Sequence, residues 1–341
     1  MLWLLACTGR PTVAIVGAGP AGLAAAIEAA TRADVVLYEG EELVGGSARF
    51  AKAITTLDLA GEREAPSRYR RQVEPMVIEW TTALGVSWSP APGSTEDEPL
   101  LWPLGGGPAL VGALERQARA LGVELRLGQR VAELPKADAV IVATGGIMGD
   151  VEAFREWAGL PAGTLLRGAP KHADGNGWAL MPDAAFDEPR WLVYPHGTPG
   201  PEGVARMVLG ADGLALDQGG ELQGPRGDQG NAWALQPSVH TLTVSTPGEV
   251  ALLDWEMGRS EPFSTGSLTL YPTTAKTLSG VTTDPEGRVL NASGEHIEGL
   301  YAAGEVNGFH DVYAEHVVDS TMVAGAILSG RVTARAVLED L

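Results

Sequence analysis

An α/β fold, with a Rossmann-like, mostly parallel sheet and a smaller α+β lobe inserted into it, is what this sequence predicts. Three observations carry the prediction. Residues 12–17, TVAIVG, form an apolar run that opens onto Gly17, Gly19 and Gly22 in a GxGxxG pattern, followed by the alanine-rich LAAAIEAATRA. Two more runs, within DVVLYEG and ADAVIVATGG, have the unbroken apolar character of strands buried on both faces. From about residue 150 to 272 the helical period fades, and clusters such as PHGTPGPEG, GADG and DQGGELQGPRGDQG take its place. The expected boundaries are 1–149 and 273–341 for the discontinuous sheet domain and 150–272 for the inserted lobe.

In chain order, the strand at 12–16 must turn at once into a helix, and glycine serves three purposes there. The first makes the tight turn, the second lets backbone amides approach a pyrophosphate, and the third lets the helix lie close to the sheet. A phosphate so placed meets the positive end of the helix. Glu39 closes the second strand 22 residues after Gly17, where a carboxylate can accept hydrogen bonds from both hydroxyls of an adenosine ribose. The following EELVGGSARF offers Gly45, Gly46 and Ser47 as a second backbone approach to the same phosphates.

Residues 66–85 carry a helical pattern, and 89–105 read as an irregular connection rich in Pro and Gly. Residues 105–127 predict a helix with Leu110, Leu114 and Leu121 on its apolar side, and then a strand. ADAVIVATGG brings the chain back to the sheet, ending at Thr144, Gly145 and Gly146. Last, GEHIEGLYAAGEVNG supplies a strand ending at Gly304 and Glu305, and DSTMVAGAILSGRVTARAVLED a closing helix with Asp319 or Ser320 as N-cap.

Composition narrows the function. The formal net charge is -19, and four of the 24 cations are lysines, so a nucleic-acid partner is not expected. A single cysteine, Cys7, leaves no internal disulfide, Cys-ligated iron–sulfur cluster or CxxCH haem attachment; electrons must come from an external donor or leave to an external acceptor. No metal site is expected. No apolar run reaches the roughly 18–20 residues of a membrane-spanning helix. MLWLLACTGRP is similar to a bacterial lipoprotein signal, yet only six residues precede Cys7 and none is basic. The expected location is cytoplasmic, the alternative being an exported lipoprotein anchored at Cys7 if the chain starts further upstream.

Taken together, VAIVGAGPAGLAAA, YEGEELVGGSA, ADAVIVATGG, ADGNGWALMPDAA and GLYAAGEVNG stand in the order found in one family. The chain resembles the flavoproteins of the fumarate reductase, succinate dehydrogenase and 3-ketosteroid dehydrogenase superfamily. The resemblance implies a glutathione-reductase-type FAD-binding domain with an inserted capping domain over a small-molecule substrate. It puts Gly17, Gly19, Pro20, Ala21, Gly22, Glu39, Gly45, Gly46, Ser47, Val131, Ala143, Thr144, Gly145, Gly304 and Glu305 on FAD-contacting positions. It also implies that amides at Ser320, Thr321 and Met322 face the flavin O2/N1 edge, where charge gathers on reduction.

The implied activity is hydride transfer between flavin N5 and a carbon–carbon bond next to a carbonyl or carboxyl group. WLVYPHGTP puts His196 at a substrate-contacting position, or leaves it an exposed turn histidine; GPRGDQGNAWALQ makes Arg226 the candidate proton donor, or a solvated loop arginine. Where fumarate reductases carry His-His-Thr this chain has TTAKTLSG, so Lys276 stands in for a carboxylate-binding histidine, or is merely solvated. In place of their Asn-Arg pair YAEHVVDST offers His316, with Tyr313 as a possible acid–base partner. His310 also aligns with a family histidine. These departures argue against fumarate. They leave a 3-ketosteroid-dehydrogenase-like enzyme, or a flavin-binding protein whose catalytic pocket has degenerated, as alternatives.

Overall fold

The computed structural model describes residues 9–50, 54–55, 72–90, 100–159, 165–200, 205–210, 240–254, 259–309 and 322–341. It opens with β1 (Thr12–Val16), α1 (Pro20–Ala29) and β2 (Asp34–Tyr38). After β3 (Ile54–Thr55) come a wide helical turn at Glu74–Glu79 leading into α2 (Trp80–Ala83), then β4 (Trp88–Pro90), β5 (Leu100–Pro103), α3 (Gly106–Ala120), β6 (Glu124–Arg126) and β7 (Ala139–Val142). Two short helices, α4 (Val151–Trp157) and α5 (Asn176–Ala179), precede β8 (Trp191–Pro199), β9 (Ala205–Gly210), β10 (His240–Val244), β11 (Val250–Asp254), β12 (Arg259–Pro262) and β13 (Gly266–Thr277). β14 (Arg288–Leu290), β15 (His296–Ala302) and the long α6 (Met322–Asp340) complete the described chain.

Among the described residues these strands make three sheets. The first has the order β14-β15-β7-β1-β2-β6, and β15, β7, β1, β2 and β6 are all parallel. Its centre is uniformly apolar because both faces are covered: Ile15 and Ile141 are fully buried against α1, α3 and α6, while Val142 faces Met181, Val281 and Val306 on the other side. The alanines of α1 have a packing reason. Ala24, Ala25, Ala26 and Ala29 are wholly buried because α1 is wedged between the sheet and α6, where larger side chains would hold the layers apart. Gly330 of α6 rests on the backbone of Ala21; a Cβ there would lie 2.1 Å from the Ala21 carbonyl oxygen.

The second sheet, β10-β13-β8-β9-β11-β12, is antiparallel throughout. β13 shows the two-residue alternation of a half-buried strand: Leu268 and Leu270 are buried while Ser267 and Thr269 are exposed. Further along β13, Thr273, Thr274 and Thr277 are fully buried and fasten this sheet to the first. The Thr274 hydroxyl donates to the Met148 carbonyl at 2.8 Å and accepts the Gly168 amide at 3.0 Å.

Three details depart from the sequence reading. The stretch 89–105 is not wholly irregular: β4 and β5 form an antiparallel pair with β3, and Pro90 and Pro103 sit at strand ends, where a missing N–H costs little. Leu121 is 38% exposed, because α3 ends at Ala120 and the apolar stripe stops with it. The helix α4 falls where little helical period was read; it is started by Asp150, whose carboxylate accepts the Ala153 amide at 3.0 Å, and it buries Phe154. No helix among the described residues is long and apolar enough to cross a membrane.

Candidate functional site

Because β1, β2, β7 and β15 run the same way, with Val16 beside Tyr38 and Val142 and Val142 beside Ala302, the chain leaves the sheet at four adjacent points. Those points are Gly17, Glu39, Ala143 and Ala303, and the candidate site lies along them. Gly17 adopts a φ of +102°, and a Cβ on it would lie 2.5 Å from the Ala143 carbonyl oxygen; only glycine lets the β1 and β7 ends touch. Gly22, one turn into α1, is closer still, its hypothetical Cβ 1.8 Å from the Gly17 oxygen. Around Gly19 and Gly145 the opposite holds: a Cβ on either meets no described atom within 4 Å. These two glycines present bare backbone to open space.

Gly19 is the N-cap of α1 and provides no side-chain cap, and Pro20 follows at the first helical position with no N–H of its own. The remaining amides of the first turn, Ala21 among them, are left for an outside acceptor, the arrangement that binds phosphate. Glu39 braces this turn from the side. One carboxylate oxygen accepts the Ala18 amide at 2.8 Å and the other the Glu41 amide at 2.9 Å. Of the roughly four lone-pair positions of a carboxylate, two stay available for hydroxyl donors. The Gly45 amide donates to the Ala18 carbonyl at 2.7 Å, which draws Gly46 against Gly19, and Ser47 is exposed at the start of the tight turn Gly46–Phe50.

On the β15 side, Gly304 has a φ of +81°; its amide donates to the Ser329 hydroxyl of α6 at 2.9 Å. Glu305 follows and accepts the Thr277 amide at 2.8 Å. Burial pushes the Glu305 carboxyl above its usual range, while hydrogen bonds from the Thr277 amide and hydroxyl and the Gly146 amide, together with the positive charge of Lys276, act against that rise. Lys276 therefore lies beside Glu305 at the end of β13, and Gly146 is pinned by the same carboxylate. Val131, between β6 and β7, is half-buried, and its carbonyl accepts the Asn176 side-chain Nδ2–H at 3.4 Å; Met322 opens α6 against the core.

His196 lies in β8, the neighbour of β13. Arg226, His310, Tyr313, His316, Ser320, Thr321 and Cys7 lie outside the described residues. Two polar atoms at the site stand out, one on Thr144, a residue the sequence points to, and one on His172, a residue it does not. Thr144 Oγ1 and His172 Nε2 are buried with no hydrogen-bond partner among the described residues. The only sequence signal for His172 is its place directly before ADGNGW. Among the described residues no cluster of His, Cys, Asp or Glu could hold a metal ion.

Bare glycine backbone at Gly19 and Gly145, an uncapped helix start, a carboxylate with acceptors to spare and two unpaired polar atoms are what a pyrophosphate with a ribose on one side requires. The residues fit a dinucleotide. Comparison with known proteins says which one. A family model described as an FAD binding domain matches residues 12–89 and 255–316. A KsdD-like steroid dehydrogenase from Mycobacterium tuberculosis is 45% identical over 74 residues, a stretch that covers 21% of this chain and spans 13% of that protein's length. Among solved structures, the open conformation of a flavocytochrome c3 fumarate reductase has a TM-score of 0.64 at 16% identity, covering 98% of this chain and 79% of its own. The 3-ketosteroid delta1-dehydrogenase from Sterolibacterium denitrificans, in complex with 1,4-androstadiene-3,17-dione, has a TM-score of 0.67 at 13% identity, covering 97% of this chain and 100% of its own. With its parallel sheet and glycine turns the chain has the fold of the flavocytochrome c3 fumarate reductase and the 3-ketosteroid delta1-dehydrogenase, its matched segments are those of an FAD-binding domain, and FAD is its cofactor.

Proposed function

We propose that the chain is an FAD-dependent oxidoreductase acting on a carbon–carbon bond next to a carbonyl group, in an apolar, steroid-like substrate rather than a dicarboxylate. The observation that carries the reading is the junction of the two sheets. β13 delivers Lys276 and Thr277 onto Glu305 and Gly146, so the antiparallel sheet abuts the end of the FAD cradle where a substrate would meet the cofactor. The local identity to a steroid dehydrogenase supports the substrate class.

Bound FAD would supply the hydride chemistry. In our reading the chain holds the cofactor through Gly17, Gly19, Gly22, Glu39, Gly46 and Glu305, and residues 150–272 act as a cap. His196 and Arg226 would contact the substrate and deliver the proton, with Lys276, Tyr313 and His316 polarising its oxygen. A single ammonium at Lys276 suits one carbonyl better than two carboxylates, which call for paired bidentate groups. The electrons would pass to or from a separate carrier.

The test is an anaerobic titration of the FAD-loaded protein, following flavin absorbance. A saturated 3-oxo steroid is expected to bleach the flavin, and fumarate is expected to leave dithionite-reduced flavin unchanged. Reoxidation by fumarate, with no bleaching by the steroid, would overturn the substrate assignment. Loss of bleaching in Arg226→Ala, with FAD still bound, is the expected result for the group that carries the substrate proton, accepting it when the C–C bond is dehydrogenated and donating it when the alkene is reduced.

A further inference from the structure

Three elements converge on one point beside the glycine turn. Gly19 starts α1, Gly46 starts the tight turn after β2, and the segment before α5 carries His172. A Cβ on Gly46 would lie 3.6 Å from the Gly19 Cα and 3.8 Å from His172 Nε2. The imidazole is presented on a braced loop: the Ala173 amide donates to Pro170 at 3.0 Å, and the Gly149 amide donates to Ala173 at 2.6 Å. Gly149 is itself seated so closely that a Cβ would meet the Pro170 oxygen at 2.1 Å. Nε2 is buried and unpaired at the end of this arrangement. Buried nitrogens are nearly always hydrogen-bonded, so one left open toward two ligand-facing glycines points to a ligand atom.

We propose that His172 Nε2 donates a hydrogen bond to a pyrophosphate oxygen of FAD held between Gly19 and Gly46, and that the imidazole gains a proton when the cofactor binds. The proposal rests on FAD as the cofactor. Charged groups face the ring from each neighbouring element: Arg49 from the tight turn, Glu39 and Glu41 from the end of β2, and Asp174, itself paired with Arg130, from its own loop. Burial first, then Arg49, holds the free imidazole below its ordinary value, against the pull of the three carboxylates. Phosphate oxygens in contact with Nε2 reverse that balance in favour of the imidazolium. Binding is therefore tighter at low pH and weakens as pH rises through the bound-state pKa, by up to about tenfold per pH unit for one linked proton.

The experiment is titration of the apoprotein with FAD, followed by flavin fluorescence, from about pH 5.5 to about 8.5, across the ordinary histidine range. Calorimetry in buffers of different ionisation heat counts the proton. Expected results are an affinity that falls about tenfold across the range, net proton uptake, and loss of both in His172→Gln, which keeps a donor but cannot titrate. ADP, which carries the pyrophosphate without the flavin, is expected to show the same pH trend, and adenosine none. A His172→Gln protein whose pH trend matches the parent's overturns the proposal, as does His172→Ala binding FAD as tightly as the parent at every pH. Apoprotein that takes up no FAD at any pH brings down the cofactor assignment as well, and is thereby distinguished from failure of the histidine alone.

Discussion

Replacing Gly22 with alanine adds one methyl group to α1, and the structure fixes both the sign and the scale of the result. In an unconstrained helix the change is favourable by about 1 kcal/mol. At this position the new Cβ would lie 1.8 Å from the Gly17 carbonyl oxygen, well inside any distance that real Cβ atoms tolerate. The obstructing atom is backbone and cannot rotate aside, so α1 and the turn must separate. Overpacking of this kind costs ~1–3 kcal/mol or more, and the helix gain offsets only part of it. A net loss of about 1–2 kcal/mol lowers the melting temperature by roughly 2–5 °C for a chain of this size. The displaced turn is also the phosphate seat we propose, and FAD binding is expected to weaken at least tenfold, about 1.4 kcal/mol. Gly112→Ala is the internal control: it lies mid-helix in α3, where the nearest atom to a Cβ is the movable Arg116 guanidinium at 3.4 Å. That variant is expected to gain up to about 1 kcal/mol and to leave FAD binding unchanged. Thermal melts and FAD titrations of the two variants decide the matter. Gly22→Ala melting at or above the parent with unaltered FAD affinity would refute the reasoning.

Two further outcomes follow from groups away from the cofactor. Arg331 of α6 is buried, donates to Glu28 at 2.8 Å and to the Met76 carbonyl at 2.7 Å, and stacks over Trp80; Arg331→Met is expected to cost ~2–3 kcal/mol by chemical denaturation, less than a fully orphaned charge because Arg335 still pairs with Glu28. Asp340 accepts two bonds from Arg288 and one from Tyr301, and Arg288 in particular holds its carboxyl below the usual range. Its stabilisation is therefore present above the unfolded carboxylate value of about 3.9 and lost as pH falls through the lower folded value. Asp340→Asn should be ~0.5–1 kcal/mol less stable at neutral pH, the side chain being partly exposed, and the gap should close in acid melts.

Where a residue's role is local, the sequence shows it. The central strands β1 and β7 announce themselves because both their faces are covered, and the glycines of the first turn do so because their spacing matches strand, turn and helix. Glu39 is legible for the same reason, since its distance from Gly17 is set by one helix and one strand. What stayed hidden depends on distant partners. The β4–β5 pair was masked by prolines that turn out to occupy strand ends. His172 acquires its meaning only from Gly46, which lies 126 positions earlier, and the link between Thr277 and Glu305 joins two sheets that no periodicity relates. The apolar spacing of α3 runs on to Leu121, one residue past the helix end, because side-chain spacing does not record where the backbone hydrogen bonds stop.

The contact of Gly330 with Ala21 has a consequence for biosynthesis. The helix that carries Ala21 leaves the ribosome some 300 positions ahead of its partner. Until Gly330 has emerged, the helix behind the nucleotide seat lacks the neighbour it packs against. A product cut short before Gly330 is therefore expected to take up its yellow pigment poorly.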